Sequence, residues 1–310
     1  MKRVGFGAVV LGVVLLQGGP AHGASESLPW SDGGAGPSDF EVDAESFCTT
    51  SGISFKDNED YGFDGASLVK VNGTGVGASA TTVDVTTIGL DSIVTYSETV
   101  GDLLVEVSYR FTDDNLARTL VTITNQGATA VSPLPVSLFY DHGDTFTIRS
   151  VSGGTWRNSG NSFVMSEAGV ATGVFDNYKA AFHLPDGPGS PESMASVVTC
   201  LGGSLNVGDS AEYVQYTYSL DIPAGESRRI LTFHGLHQTA DGVTVKSQTF
   251  SQSLPSPGSG LLSDLSDEDA CTVVNWDFSA CGGDSGGGSY DFDDIDIDHY
   301  RQPTELPDTV

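Results

Sequence analysis

An all-β fold, a large antiparallel two-sheet β-sandwich with one short C-terminal helix, is what this sequence predicts, and three observations predict it. From about Phe47 to Ser253 the dominant hydrophobic period is two, the period of strands with one face in a core and one in water. Turn-forming runs such as Asp113-Asp114-Asn115, Gln126-Gly127, Gly153-Gly154, Asn158-Ser159-Gly160 and Pro223-Ala224-Gly225 punctuate that region. No helical pattern intervenes between the apolar runs, which points to antiparallel pairing rather than βαβ crossovers.

Each element follows in order. Met1-Lys2-Arg3, the apolar run Val4 to Leu16 and the small residues Ala21 and Gly23 have the layout of a secretory signal peptide over 1–23. That run is shorter than the roughly 20 residues a membrane span needs. Residues 24–46, rich in Ser, Gly, Pro and acid, read as a flexible leader, and 47–281 as the sandwich domain. Its clearest strand places Leu103, Val105, Val107, Tyr109 and Phe111 on one side, with Glu106, Ser108 and Arg110 opposite in water. A second places Val214, Tyr216, Tyr218, Leu220 and Ile222 inward, so Val105, Val107, Tyr109, Val214, Tyr216 and Tyr218 should share one core. Shorter strands are expected at 81–88, 91–97, 118–124, 134–141, 145–151, 162–166, 170–175, 178–183, 195–199, 228–234 and 243–250. Ser266, followed by Asp267, Glu268 and Asp269, starts a closing helical segment near 266–276. Residues 282–310 read as a Gly-rich linker and an acidic disordered tail.

Charge excludes partners before it suggests any. The formal net charge is −28, and removing Lys2 and Arg3 with the signal peptide makes the exported chain about −30. Such a surface repels nucleic acid, and with no later apolar span there is no membrane association after signal cleavage. Carbohydrate or an extracellular protein is the expected partner, in the periplasm or outside the cell. Four cysteines in that oxidising setting favour disulfides. Cys271 and Cys281 lie ten positions apart and form the local bridge, which leaves Cys48 to join Cys200.

The run Arg118, Val121, Thr122, Ile123, Thr124, Asn125, Gln126, Gly127, Ala128, continuing to Pro135, Val136 and His142, resembles a hairpin of galactose-mutarotase-like, supersandwich carbohydrate-binding domains. The segment from Gly260, Leu261 and Leu262 through Asp269 and Ala270 to Val274, Asn275 and Trp276 is similar to the end of secreted bacterial β-sandwich proteins. The first resemblance implies two large sheets that hold carbohydrate on a concave face. It also implies that His142, which follows the hairpin, corresponds to a histidine that assists acid–base ring opening. The family's asparagine-histidine pair is absent here, and no later histidine and glutamate match. The resemblance therefore speaks for a fold rather than a reaction.

His142, between Asp141 and Asp144, is the one catalytic candidate. His234 and His237 are close in sequence, but an i, i+3 pair at a strand end points two ways. Calcium is the one cofactor the residues suggest. Asp57, Glu59 and Asp64 surround a glycine turn, and Asp291, Asp293 and Asp296 lie in the acidic tail. Trp156, Tyr178 and Tyr213 are aromatics that could stack on sugar faces. Three readings follow from these residues. The first is a secreted, non-catalytic β-sandwich binding carbohydrate or another extracellular partner. The alternatives are an epimerase- or lyase-type carbohydrate-active enzyme on the same fold, and a calcium-dependent adhesion or matrix protein.

Overall fold

Alternation along the chain becomes strand after strand in the computed structural model, which describes residues 24–31, 40–57, 62–112, 115–151, 163–167, 180–186, 196–198, 200, 210–237 and 257–278. For 143–151, 163–167, 180, 196–198, 210–211 and 237 the description is of the backbone alone. The expected strands at 170–175 and 243–250, the signal peptide and the 282–310 tail lie outside these residues.

One layer is a meander of β7 (Thr82–Ile88), β8 (Asp91–Val100), β9 (Leu103–Phe111) and β10 (Leu116–Asn125), with β1 (Ala24–Ser27) on its outer edge. It continues through β16 (Ser227–His237) and β13 (Ala180–Leu184) to β12 (Phe163–Glu167). The other layer runs β2 (Trp30–Ser31), β3 (Phe40–Phe47), β4 (Thr50–Asp57), β5 (Gly65–Val71), β11 (Val131–Val151), β15 (Ser210–Ile222), β14 (Ser196–Val198), with β6 (Thr74–Gly75) beside β5. The 21-residue β11 joins the two layers. Its first half lies between β5 and β15, and its end, from Phe146, pairs with β12. The pairings between these strands are thus antiparallel and fold back into a two-sheet sandwich. Among the described residues no helix is long and apolar enough to cross a membrane.

The core between the layers holds Val105, Val107, Tyr109, Val214, Tyr216 and Tyr218 together, as the alternation predicts. Each fully buried Val, Leu or Phe there stabilises the fold by about 1.5–3 kcal/mol relative to exposure. The hairpin that resembles mutarotase-like domains does structural work. Asn125 is buried, its Nδ2 donates to Thr129 O (2.8 Å) and Ile222 O (3.1 Å), and its Oδ1 accepts from Gly127 N (3.0 Å). That one side chain ties the β10–β11 turn to the end of β15.

Three expectations need correction. The segment 24–46, expected as a flexible leader, carries β1, β2 and most of β3, because Phe40 and Val42 are buried and β3 pairs with β4 over its whole length. Its compositional looseness sits in 32–39, outside the described residues. Of the three side chains expected to face water on β9, Glu106 does, whereas Ser108 and Arg110 are buried. The cause is a second core on that outer face. Leu261, Leu262, Leu265, Ala270, Val273, Trp276 and Phe278 pack there on Leu116, Phe182, Leu184, Leu231 and Phe233. Phe182 lies over Gly235, where any Cβ would collide with its ring.

The closing segment supplies the third correction. The helix expected near 266–276 is only α1 (Asp267–Ala270), preceded by a 3-10 turn at Gly260–Leu262. Ser266 starts it with a capping box, its Oγ accepting from Asp269 N (3.1 Å). It stops because the following backbone pairs with β16 instead. Arg229 N donates to Thr272 O (2.8 Å) and Val274 N donates to Arg229 O (2.9 Å). Asn275 Oδ1 then accepts from Leu231 N, and Asn275 Nδ2 and Trp276 Nε1 donate to Leu231 O. An ion cluster of two buried arginines and two partly exposed carboxylates locks the segment down. Arg118 holds Asp264 through Nη1 (2.5 Å) and Nη2 (2.8 Å) and also donates to Leu261 O (3.0 Å), while Arg110 bridges Asp264 and Asp91. Burial alone would raise the Asp264 carboxyl, but the hydrogen bonds and charge of Arg118, with Arg110 behind them, hold it below its ordinary value.

Candidate ligand-binding cleft

The three histidines with described side chains all point inward. His142 on β11, His183 on β13 and His234 on β16 occupy the core-facing positions of their strands and are at most 1% exposed. Their rings pack edge to face, with centroids 5.1 Å apart for His142–His183 and 5.3 Å for His183–His234. Tyr140 lies against His183 at 4.7 Å and His234 at 5.1 Å. His142 Nδ1 donates to Gly62 O (2.7 Å), and His234 Nε2 meets Thr232 Oγ1 at 2.9 Å. Ser67 links the cluster to both sheets through Tyr140 Oη (3.0 Å) and Thr119 Oγ1 (2.7 Å).

Electrostatics follow from that burial. Desolvation pushes His142 down to about 4 and His234 down to about 3, and lowers His183 well below its ordinary value, with His142 and His234 adding to the effect. Burial likewise raises the Tyr140 and Tyr216 phenols. At neutral pH this is a set of neutral imidazoles and phenols sealed between two sheets. A group this enclosed cannot touch a sugar, so His142 stands in the core rather than on a binding surface.

Asp57 also turns inward. Its Oδ2 accepts from Gly62 N (2.9 Å) and Phe63 N (2.7 Å), which closes the loop ahead of β5. Asp64 is partly exposed at the start of β5, its backbone N–H bonded to Asp141 O (3.0 Å). Among the described residues no group of three or more His, Cys, Asp or Glu side chains is placed to hold a metal ion. Glu59, Asp291, Asp293, Asp296, Trp156, Tyr178 and Cys281 lie outside the described residues. Cys48 and Cys200 form a disulfide, with Cα atoms 5.3 Å apart, and Cys271 is disulfide-bonded as well.

What the structure brings together on a surface is a different set. A cleft of about 270 Å³ opens on the outer face of β5, β11 and β15, away from the core. The strand period places its lining. Lys70 sits between inward Val69 and Val71, Ser137 and Phe139 alternate with inward Val136, Leu138 and Tyr140, and Gln215 lies between Val214 and Tyr216. Register sets Lys70 opposite Ser137, and Phe139 opposite Gln215. The β3–β4 turn forms one wall, with Cys48 and Thr49 at φ of 53° and 62°, the two left-handed residues of a tight hairpin. The disulfide to Cys200 pins that wall in place.

Phe139 floors the cleft, with the Lys70 ammonium 5.9 Å from its ring centroid. Gln215 Nε2 donates to Thr217 Oγ1 (3.0 Å) and Ser137 Oγ (3.3 Å), which fixes the amide with its carbonyl oxygen turned away from those two hydroxyls. Tyr213 lies on the same face two residues farther along β15, stacked on Phe47 with centroids 6.5 Å apart. A hydrogen bond to Glu212, with burial and nearby carboxylates, pushes its phenol up to about 12. Of the aromatics expected to meet sugar, Tyr213 is thus on the same sheet face, two positions from Gln215, but does not line the cleft. Lys70, Ser137, Phe139 and Gln215 were not singled out from sequence. An aromatic and a lysine at outward strand positions were the available signal.

No protein-family model matches the chain, and no curated protein matches it. Among solved structures, it is similar to the heparan sulfate lyase HepC from Pedobacter heparinus at 6% identity and TM-score 0.43, covering 70% of this chain and 37% of that one. It is similar to a heparinase III at 10% identity and TM-score 0.40, covering 71% and 38%. A galactose mutarotase related enzyme from Lactobacillus acidophilus gives 9% identity and TM-score 0.34, covering 69% and 99%. The chain spans a little over a third of the length of the two lyases.

Proposed function

We propose that this chain is a secreted, non-catalytic β-sandwich that binds carbohydrate in the cleft on the outer face of β5, β11 and β15. The observation that carries the reading is the composition of that cleft: polar groups at Lys70, Ser137 and Gln215 around the largely buried Phe139, with the Gln215 amide oriented by the Ser137 and Thr217 hydroxyls. Sugar rings present an apolar face and a rim of hydroxyls, and recognition takes an apolar surface with a few fixed polar groups. The cleft volume is just under the about 300–1,000 Å³ of typical ligand sites, which suits the end of a saccharide rather than a long chain. The burial of His142, His183 and His234 favours binding over acid–base chemistry, because proton transfer needs hydrogen-bond reach to the substrate.

The test is a glycan array followed by calorimetry on the best ligands, with wild type and Gln215→Ala. Binding that weakens at least about tenfold in the variant, about 1.4 kcal/mol, supports the reading. Binding that ignores Gln215, or no glycan binding at all, contradicts it. If wild type interconverts sugar anomers and a folded His142→Asn does not, an enzyme on this sandwich replaces the binding protein.

A further inference from the structure

We propose that Lys70 makes the cleft selective for saccharides carrying an anionic group, a carboxylate or a sulfate; the inference rests on the carbohydrate-binding reading above. The argument starts from where this protein's cations go. The sequence has 41 acidic residues against 13 Lys and Arg. Six of those 13 have described side chains, and five of the six are committed to carboxylates. Lys56 pairs with Glu41 and Glu45, Arg110 with Asp91 and Asp264, Arg118 with Asp264, Arg228 with Glu226, and Arg229 with Asp269.

Lys70 is the sixth. Among the described residues it has no ion pair, and its ammonium lies over the Phe139 ring at the cleft. In a chain this acidic, an unpaired cation facing a concave surface is the local exception to the overall field. The neighbouring lining gives it no carboxylate: Thr49, Gly73, Pro135, Ser137 and Gln215 are all uncharged.

The geometry selects among sugars. A sugar ring lodged in the cleft, above the buried Phe139, would place its substituents among the Lys70 ammonium, the Ser137 hydroxyl and the Gln215 amide, which line the cleft across β5, β11 and β15. A carboxylate or sulfate on that ring would meet three ammonium donors, and charge-assisted hydrogen bonds are about twice as strong as neutral ones. A neutral saccharide would keep the hydroxyl and amide contacts and leave the ammonium to water. Away from the cleft, the excess of acidic residues over Lys and Arg repels an anionic saccharide. Binding should therefore be local to Lys70 and sensitive to salt.

The experiment is calorimetry on the full chain with three probes: a neutral oligogalactan, a sulfated oligogalactan and an oligogalacturonate. Variants are Lys70→Met, which keeps the stem without the charge, and Lys70→Arg, which restores a cation; circular dichroism and melting confirm that both fold. At least one anionic probe should bind about tenfold or more tightly than the neutral one. That preference should vanish in Lys70→Met, survive in Lys70→Arg, and shrink between about 20 and about 500 mM NaCl. Preference for oligogalacturonate alone assigns the carboxylate, and preference for the sulfated probe alone assigns the sulfate. Equal binding of all three, binding of the neutral probe alone, or a preference unchanged in Lys70→Met overturns this inference and leaves carbohydrate binding standing. Wild type that binds none of the three, nor any glycan on the array, overturns both.

Discussion

Acidification from pH 7 to pH 5 should destabilise this protein steeply, because three imidazoles are held neutral inside the sandwich. His142 is pushed down to about 4 and His234 to about 3 by burial, and His183 is lowered well below its ordinary value. In the unfolded chain all three titrate near about 6.5. Below that pH the unfolded state takes up protons that the folded state refuses, so stability falls as pH falls. It stops falling only when the folded-state values are passed. Each histidine contributes about 1.4 kcal/mol per pH unit over that window. At pH 5 the loss is about 2 kcal/mol each for His142 and His234, about 4 kcal/mol for the two, with His183 acting in the same direction, against the about 5–15 kcal/mol of a typical domain. The Asp264 carboxyl, held low by its arginines, loses its contribution only at more acidic pH than the histidines do. Urea denaturation at fixed temperature across pH 5–7.5 measures the slope. A His234→Gln variant should lose about a third of it. A wild-type slope below about 1.4 kcal/mol per unit between pH 5 and 6 would mean that the rings are solvated or already charged in the fold, and the reasoning would be wrong.

Other perturbations have equally definite outcomes. Val107→Asp buries a carboxylate in the central core and should cost several kcal/mol; thermal melting that matches wild type would show the inward face misassigned. Arg118→Met leaves the partly exposed Asp264 facing Arg110 alone and removes the donor to Leu261 O; it should cost about 1–3 kcal/mol, with early proteolysis in 257–278 as the signature that the closing segment has detached. Removing the Cys48–Cys200 bridge, whose partners are 152 positions apart, with a Cys48→Ser, Cys200→Ser double variant should cost about 4–5 kcal/mol in the chain-entropy picture and loosen one wall of the cleft; stability equal to wild type, read by urea denaturation, would contradict that.

Much of this fold was legible because strand period depends on local residues. Val105, Val107 and Tyr109 on β9, and Val214, Tyr216 and Tyr218 on β15, declared their inward face by alternation alone. The features that escaped depend on distant partners. Nothing near Ser108 and Arg110 signals that residues 150 positions later would cover them, so a buried face looked solvated. Acid-rich 24–46 looked loose because its strands are held by pairing with β4 and β7. The helix ended early because Arg229 claims the backbone at 272–274.

The candidate site was less legible than the core. His142 carried a family resemblance and sits beside Asp141, yet the same alternation that buries Val136, Leu138 and Tyr140 also buries it. Lys70 and Phe139 lay in plain view on outward positions, but only the pairing of β5, β11 and β15 makes them neighbours.

Amide-resolved NMR during titration with an oligogalacturonate tests the central claim most directly. Carbohydrate binding in the cleft predicts saturable shifts concentrated at Lys70, Gly73, Ser137 and Gln215, with Cys48 and Thr49 responding on the wall and the β7–β10 meander silent. Saturable shifts centred elsewhere, or a spectrum unchanged by this and every array-positive glycan, would contradict the account.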